Sequence, residues 1–196
     1  WLMDSWWYYK ANSSGTKLWE PMPSTLGGPS SRNGDPSAWY RTPSRHPTVL
    51  HSRWFEADNE YTRGTAPGLP KPKPDPPWEW HIDESTGVAA PADARFFEHI
   101  FERAQSGLGL STYLQDFLAH TYEKVGAMSR DLGAAKKWLV AMDQAAARRN
   151  ITIQFCMALP RHILQATALP RVTHARASHD YGQSRWGDSE QWSPLG

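Results

Sequence analysis

From Asp93 onward, β-prone runs alternate with amphipathic helical periods, and this alternation restricts the architecture more than any other feature of the chain. Phe96, Phe97, Ile100, Phe101 and Ala104 recur at helical spacing, and Gly107 or Gly109 ends that period. Residues 110–115 then read as a strand. Trp138, Leu139, Met142, Ala145 and Ala146 mark a second amphipathic helix, from about Gly133 to Arg149. Residues 151–156 form a β-branched strand, 162–166 a short helical turn and 172–177 a further strand. Strands separated by helices pair in parallel, because each crossover returns the chain to the end from which the previous strand began.

The first half is less regular. Residues 1–9 read as a short strand running into an aromatic loop, and residues 47–54 as a second strand. Residues 10–47 and 62–92 show no hydrophobic period and are rich in turn-forming residues, so both are expected to be long loops within a single unit. The run Lys71-Pro72-Lys73-Pro74-Asp75-Pro76-Pro77 favours an extended polyproline conformation. Five strands with long loops after their C-terminal ends suit an α/β fold, specifically part of a TIM-type (β/α)8 barrel. A doubly wound sheet is the runner-up, but no glycine-rich phosphate fingerprint follows any strand.

Charge narrows the partners. Lys and Arg number 21 against 20 Asp and Glu, a net charge of +1, which provides no electrostatic footprint for nucleic acid or a membrane surface. No apolar run approaches a membrane span. Cys156 is the single cysteine, so no internal disulfide forms. The eight histidines show no ligand spacing on a helix, and neither a metal nor another cofactor is expected. Eleven tryptophans exceed what a small core usually holds, and their rings are as suited to stacking on sugar faces as to packing. Asn12 and Asn150 begin glycosylation sequons, a triplet that often arises by chance.

Polar residues fall at the ends of the expected strands. Asp4 ends the first, Arg53 the second and Asp116 the third; Cys156 and Met157 end the fourth, and Asp180 lies just past the fifth. In β/α barrels, catalytic groups occupy such C-terminal strand ends. Two carboxylates delivered there match the needs of glycoside hydrolysis. One attacks the anomeric carbon, while the other protonates the leaving oxygen and then acts as base toward water. A lone aspartate after a strand is also a common helix cap, so position alone does not decide between the two roles.

Several of these strand ends resemble motifs of the α-galactosidase and raffinose-synthase superfamily of retaining glycosidases. Tyr113-Leu114-Gln115-Asp116 stands where that group has a hydrophobic–Lys–x–Asp run supplying the nucleophile. Arg176-Ala177-Ser178-His179-Asp180-Tyr181 resembles its Arg-Ala-Ser-Asp-Asp-Phe motif, and Cys156-Met157 resembles its Ser-Cys-Met segment. Met3-Asp4-Ser5-Trp6-Trp7 resembles the Asp-Asp-x-Trp strand end that touches sugar hydroxyls. Leu114 takes the place of the family's lysine, His179 that of one aspartate, and the aspartate pair of the first strand is reduced to Asp4.

The resemblance implies Asp116 as nucleophile and Asp180 as acid/base, with Asp4, Trp6, Arg53, Cys156 and Arg176 contacting a carbohydrate substrate. It also implies that residues 1–196 cover roughly barrel strands two to six, as a fragment of a catalytic domain, and it is compatible with a secreted or lysosomal location. The expected activity is hydrolysis of, or transglycosylation from, an α-linked glycoside with retention. Two alternatives stand beside it: a non-catalytic carbohydrate-binding relative, and a scaffold whose Trp-rich loops bind a protein.

Overall fold

The computed structural model describes residues 1–22, 24–25, 46–69 and 77–176. Its parallel sheet contains β1 (Leu2–Met3), β4 (Thr48–Ser52), β8 (Leu110–Gln115), β9 (Thr152–Phe155) and β10 (Val172–Ala175), hydrogen-bonded in that order. Every neighbouring pair is parallel. The spatial order of the strands thus follows the chain order without reversal. The α/β class expected from the alternation is present, and its five strands are those read from the sequence, to within a few residues at their ends.

Local capping residues bound the helices. In α1 (Ala94–Leu108), the Asp93 side chain accepts from Arg95 N at 2.9 Å, and Gly109 closes the last turn at φ 67°, where a residue without Cβ avoids the left-handed penalty. Gly109, not Gly107, ends the helix; Gly107 is buried within it. Helix α2 spans Leu118–Lys124 and α3 Gly126–Arg130, a pair absent from the sequence reading. Asp131 caps α4 (Leu132–Arg149), accepting from Gly133 N at 2.7 Å, and Asn150 ends it at φ 52°. Pro160 opens α5 (Pro160–Ala166), where its missing N–H costs no helical bond.

The apolar faces of α1 and α4 pack against each other and against β8 and β9. Leu50, Tyr113 and Ile153 occupy one register row across β4, β8 and β9, and they join Phe96, Phe97, Phe101, Trp138 and Met142 in one buried core. Burying each such side chain contributes about 1.5–3 kcal/mol. Side chains alternate across a strand, so His51 and Leu114, also paired in register, lie on the opposite face of the sheet.

The long loops expected at 10–47 and 62–92 require correction. They contribute to a second sheet of β2 (Tyr8–Lys10), β3 (Thr16–Pro21), β5 (Phe55–Glu56), β6 (Trp80–Asp83) and β7 (Val88–Pro91), ordered β2-β3-β5-β7-β6. Its pairs are antiparallel except β3 with β5. Strands β2 and β5 follow the C-terminal ends of β1 and β4 within a few residues, so this sheet rises from that end of the parallel sheet. An ion pair between Glu20 on β3 and Arg103 on α1, at 2.6 Å, ties the two layers together.

The described tryptophans divide between core and surface. Trp7, Trp19, Trp54 and Trp138 are buried, and Trp78 and Trp80 pack against the same core. Among the described residues, Trp1 and Trp6 remain exposed. Trp39, Trp186 and Trp192 lie outside the described residues.

Candidate active site

The parallel sheet brings four of the expected strand-end positions, together with Arg176, to one edge. Asp4 follows β1, Arg53 follows β4, Asp116 follows β8, Cys156 follows β9 and Arg176 follows β10. Backbone bonds continue the ladder through them: Asp116 N donates to Ser52 O at 2.8 Å, Cys156 N to Gln115 O at 2.9 Å, and Arg176 N to Phe155 O at 2.9 Å. Asp180, the expected acid/base, lies outside the described residues.

Asp116 is the best-anchored group of this edge. Its Oδ1 accepts from the N–H of Phe117 at 2.7 Å, and its Oδ2 lies 3.1 Å from Nε2 of His51. The side chain is 13% exposed. Burial alone pushes its pKa up. Hydrogen bonds from His51, the Cys156 thiol and the Phe117 N–H outweigh that and hold the carboxyl below the usual aspartate value. Asp116 does not cap α2: Phe117 holds the N-cap position, and no side chain bonds there.

The backbone around the site is unusual. Phe117 (φ 57°) and Met157 (φ 49°) both adopt the left-handed region, and each directly follows a site residue. Such conformations cost on the order of 1–3 kcal/mol for a side-chain-bearing residue and concentrate at functional sites. The two turns support each other: Leu118 N donates to Cys156 O at 3.4 Å and Ala119 N to Met157 O at 2.9 Å. The Phe117 ring, partly buried against the core, meets Trp54 edge-on at 4.8 Å between centroids.

The remaining candidates divide. Asp4 is 65% exposed, with Oδ1 at 3.8 Å from His51 Nε2, so it shares this histidine with Asp116. Trp6 is 46% exposed, two residues beyond Asp4, with its N–H bonded to Asp4 O at 2.7 Å. Arg53 makes long contacts from Nη1 to Ser14 O (3.5 Å) and from Nη2 to Ser5 Oγ (3.4 Å), and its guanidinium lies 5.1 Å from the Phe117 ring centroid. It braces the loop bearing Asp4 and Trp6. Cys156 is 4% exposed.

Two residues of this cluster carried no motif in the sequence. His51 is buried at 5% exposure, and its Nδ1 lies 3.1 Å from the hydroxyl of Tyr8, itself fully buried. The Tyr8 hydroxyl accepts from the N–H of Arg53 at 3.1 Å. A histidine one residue from a strand end and two before an arginine was the available signal; only the pairing of β4 with β8 gives it meaning.

Among the described residues, no group of three His, Cys, Asp or Glu side chains is placed to hold a metal ion, and no helix is long and apolar enough to cross a membrane. No protein-family model matches the chain, and no curated protein matches it.

Proposed function

We propose that the chain is part of the catalytic domain of a retaining glycoside hydrolase or transglycosidase acting on α-linked glycosides, with Asp116 as nucleophile and Asp180 as acid/base. One observation carries this reading: Asp116 is a largely enclosed carboxylate at the C-terminal edge of a parallel sheet, held in its ionised form by three donors. A nucleophile must be charged at the moment of attack, whereas a general acid must be protonated, so this environment suits the first role and opposes the second.

In the proposed cycle an Asp116 oxygen attacks the anomeric carbon as the bond to the leaving oxygen breaks. Asp180 gives its proton to that oxygen. The glycosyl ester on Asp116 is then cleaved by water, or by a sugar hydroxyl in transglycosylation, whose proton returns to Asp180. Two inversions give net retention. Asp4 and Trp6 are assigned to the sugar, the carboxylate accepting from hydroxyls and the indole covering a pyranose face.

The strand order supports assigning the sheet to a (β/α)8 barrel, since a barrel adds parallel strands in chain order around a ring whereas a doubly wound sheet reverses. The likeness to the α-galactosidase and raffinose-synthase superfamily enters on the same footing. Leu114, in the place of that group's lysine, pairs in register with His51, so the neighbouring strand supplies the polar group at this level.

The test is turnover of a panel of aryl α-glycosides by the full-length protein, with the anomeric configuration of the first product followed by proton NMR. Retained configuration, abolished in Asp116→Asn and in Asp180→Asn, is expected. Inverted product contradicts the mechanism, and sugar binding without cleavage by the wild type favours the non-catalytic relative.

A further inference from the structure

We propose that Tyr8 and His51 form a hydrogen-bond relay of fixed direction that positions Asp116, with His51 as a neutral Nε2–H donor to its carboxylate. The direction is set from the Asp116 end, where an ionised carboxylate can only accept, so the Nε2 that faces it from 3.1 Å carries a proton. The backbone N–H of Arg53 can only donate, and it points at the Tyr8 oxygen from 3.1 Å. That contact occupies one lone pair of the Tyr8 oxygen; Thr16 also meets this hydroxyl, and the relay assigns the phenolic proton to Nδ1 of His51. Nδ1 of His51 lies 3.1 Å away, with the two rings inclined by only 14°. Burial pushes the Tyr8 hydroxyl well above the usual phenol value, so it is a proton-bearing donor. A ring nitrogen that accepts carries no proton, so the imidazole proton is on Nε2, which faces Asp116 Oδ2 at 3.1 Å.

The carboxylate is thereby held at both oxygens, by Phe117 N–H on Oδ1 and His51 on Oδ2. Rotation about its terminal bond then breaks a hydrogen bond in either direction. A neutral donor achieves this without the full charge of an imidazolium, which would draw electron density from an attacking oxygen. The groups facing the His51 ring are Tyr8 and Asp4, from β2 and the residue after β1, and Asp116, just past β8. Asp4, at 3.8 Å from the same Nε2, is the second acceptor that Asp116 outcompetes by distance. His51 touches no reacting atom in this scheme; it is a positioning residue, and its kinetic role rests on the glycosidase reading above.

Two arms separate the relay from that reading. In the first, histidine-selective ¹⁵N NMR of the full-length protein is recorded near neutral pH, with the His51 signals assigned by their loss in His51→Gln. The expected spectrum shows a protonated Nε2 and an unprotonated Nδ1, and Tyr8→Phe shifts the ring toward the other tautomer. A protonated Nδ1 in the wild type, or a tautomer indifferent to Tyr8→Phe, overturns the relay.

In the second arm, kcat/KM is measured on an aryl α-glycoside. His51→Phe is expected to lose on the order of a hundredfold, as for a displaced reacting group. His51→Gln, whose amide still donates near Nε2, is expected to recover most of that loss, and Tyr8→Phe to cost several-fold in the wild type but little when added to His51→Gln. Equal loss in His51→Phe and His51→Gln overturns the positioning role. Turnover that survives Asp116→Asn overturns the glycosidase assignment, and the NMR arm then still decides the relay.

Discussion

Nε2 of His51 lies 3.1 Å from Oδ2 of Asp116 because two strands are in register. His51 pairs with Leu114, and Asp116, just past the end of β8, lies two residues beyond Leu114 on the same face. A shift of that register by one residue would turn one of the two side chains into the helix-covered core. The contact is thus a property of the sheet, and its consequences extend to stability as well as to chemistry.

Asp116 has a depressed pKa in the folded state, so its ionisation stabilises the fold above the ordinary aspartate value, about 3.9, and that contribution is lost as pH falls through the folded value. The stability difference between wild type and Asp116→Asn is expected to narrow as the pH is lowered below about 4. Urea melts at a series of pH values from neutral to acid measure it. A difference that stays constant through the acid range contradicts the assigned ionisation.

Gly15 lies where a methyl group has no room. A Cβ there would overlap Oε1 of Glu56 and Nε1 of Trp54, two atoms already 3.3 Å apart in a hydrogen bond. Gly15→Ala is expected to destabilise the fold by about 1–3 kcal/mol, the usual cost of overpacking. Trp54 also supports the Phe117 ring, so turnover should fall at temperatures where the variant is still folded. An unchanged denaturation midpoint counts against this packing.

Cys156 is buried at 4% exposure with its thiol toward Asp116, and it is the single thiol of the chain. An exposed-thiol reagent is expected to modify native protein far more slowly than protein in denaturant. Rapid stoichiometric labelling of the native state would show that the site edge is more open than described.

Phe101 is fully buried, with its ring 5.0 Å from that of Tyr113 and 5.8 Å from that of Phe97. Phe101→Ala is expected to cost about 3–5 kcal/mol, from lost burial and the cavity left behind. The change lies on the helix side of the sheet, so on the proposed function the KM of the folded fraction should be unaffected. A cost under about 1 kcal/mol would place α1 outside the main core.

The parallel half of the fold was legible because its signals are local. Asp93 and Gly109 bracket α1, and the β-branched run before Cys156 has no helical alternative. The second sheet was not legible. Its strands run only two to six residues, and its hydrophobic pattern is short and split among aromatic residues such as Tyr8, Trp19 and Phe55. These residues are held by contacts distant in sequence: Trp19 Nε1 donates to His51 O at 3.0 Å, and Tyr61 Oη accepts from Trp19 N at 3.2 Å. The site divides in the same way. Asp4, Arg53, Asp116 and Cys156 were candidates because strand ends can be counted from the chain, whereas Arg176 came from the resemblance alone. Tyr8 and His51 were missed because their roles exist only once β4 lies beside β8 and β2 folds back over it.

The most direct test of the central claim is covalent capture. Full-length protein is incubated with a 5-fluoro-α-glycosyl fluoride, whose slow deglycosylation allows the glycosyl-enzyme to accumulate, and the digest is mapped by mass spectrometry. One glycosyl unit on Asp116, absent from Asp116→Asn, is the expected result. A label on any other side chain, or catalysis that proceeds at the wild-type rate in Asp116→Asn, would contradict the account.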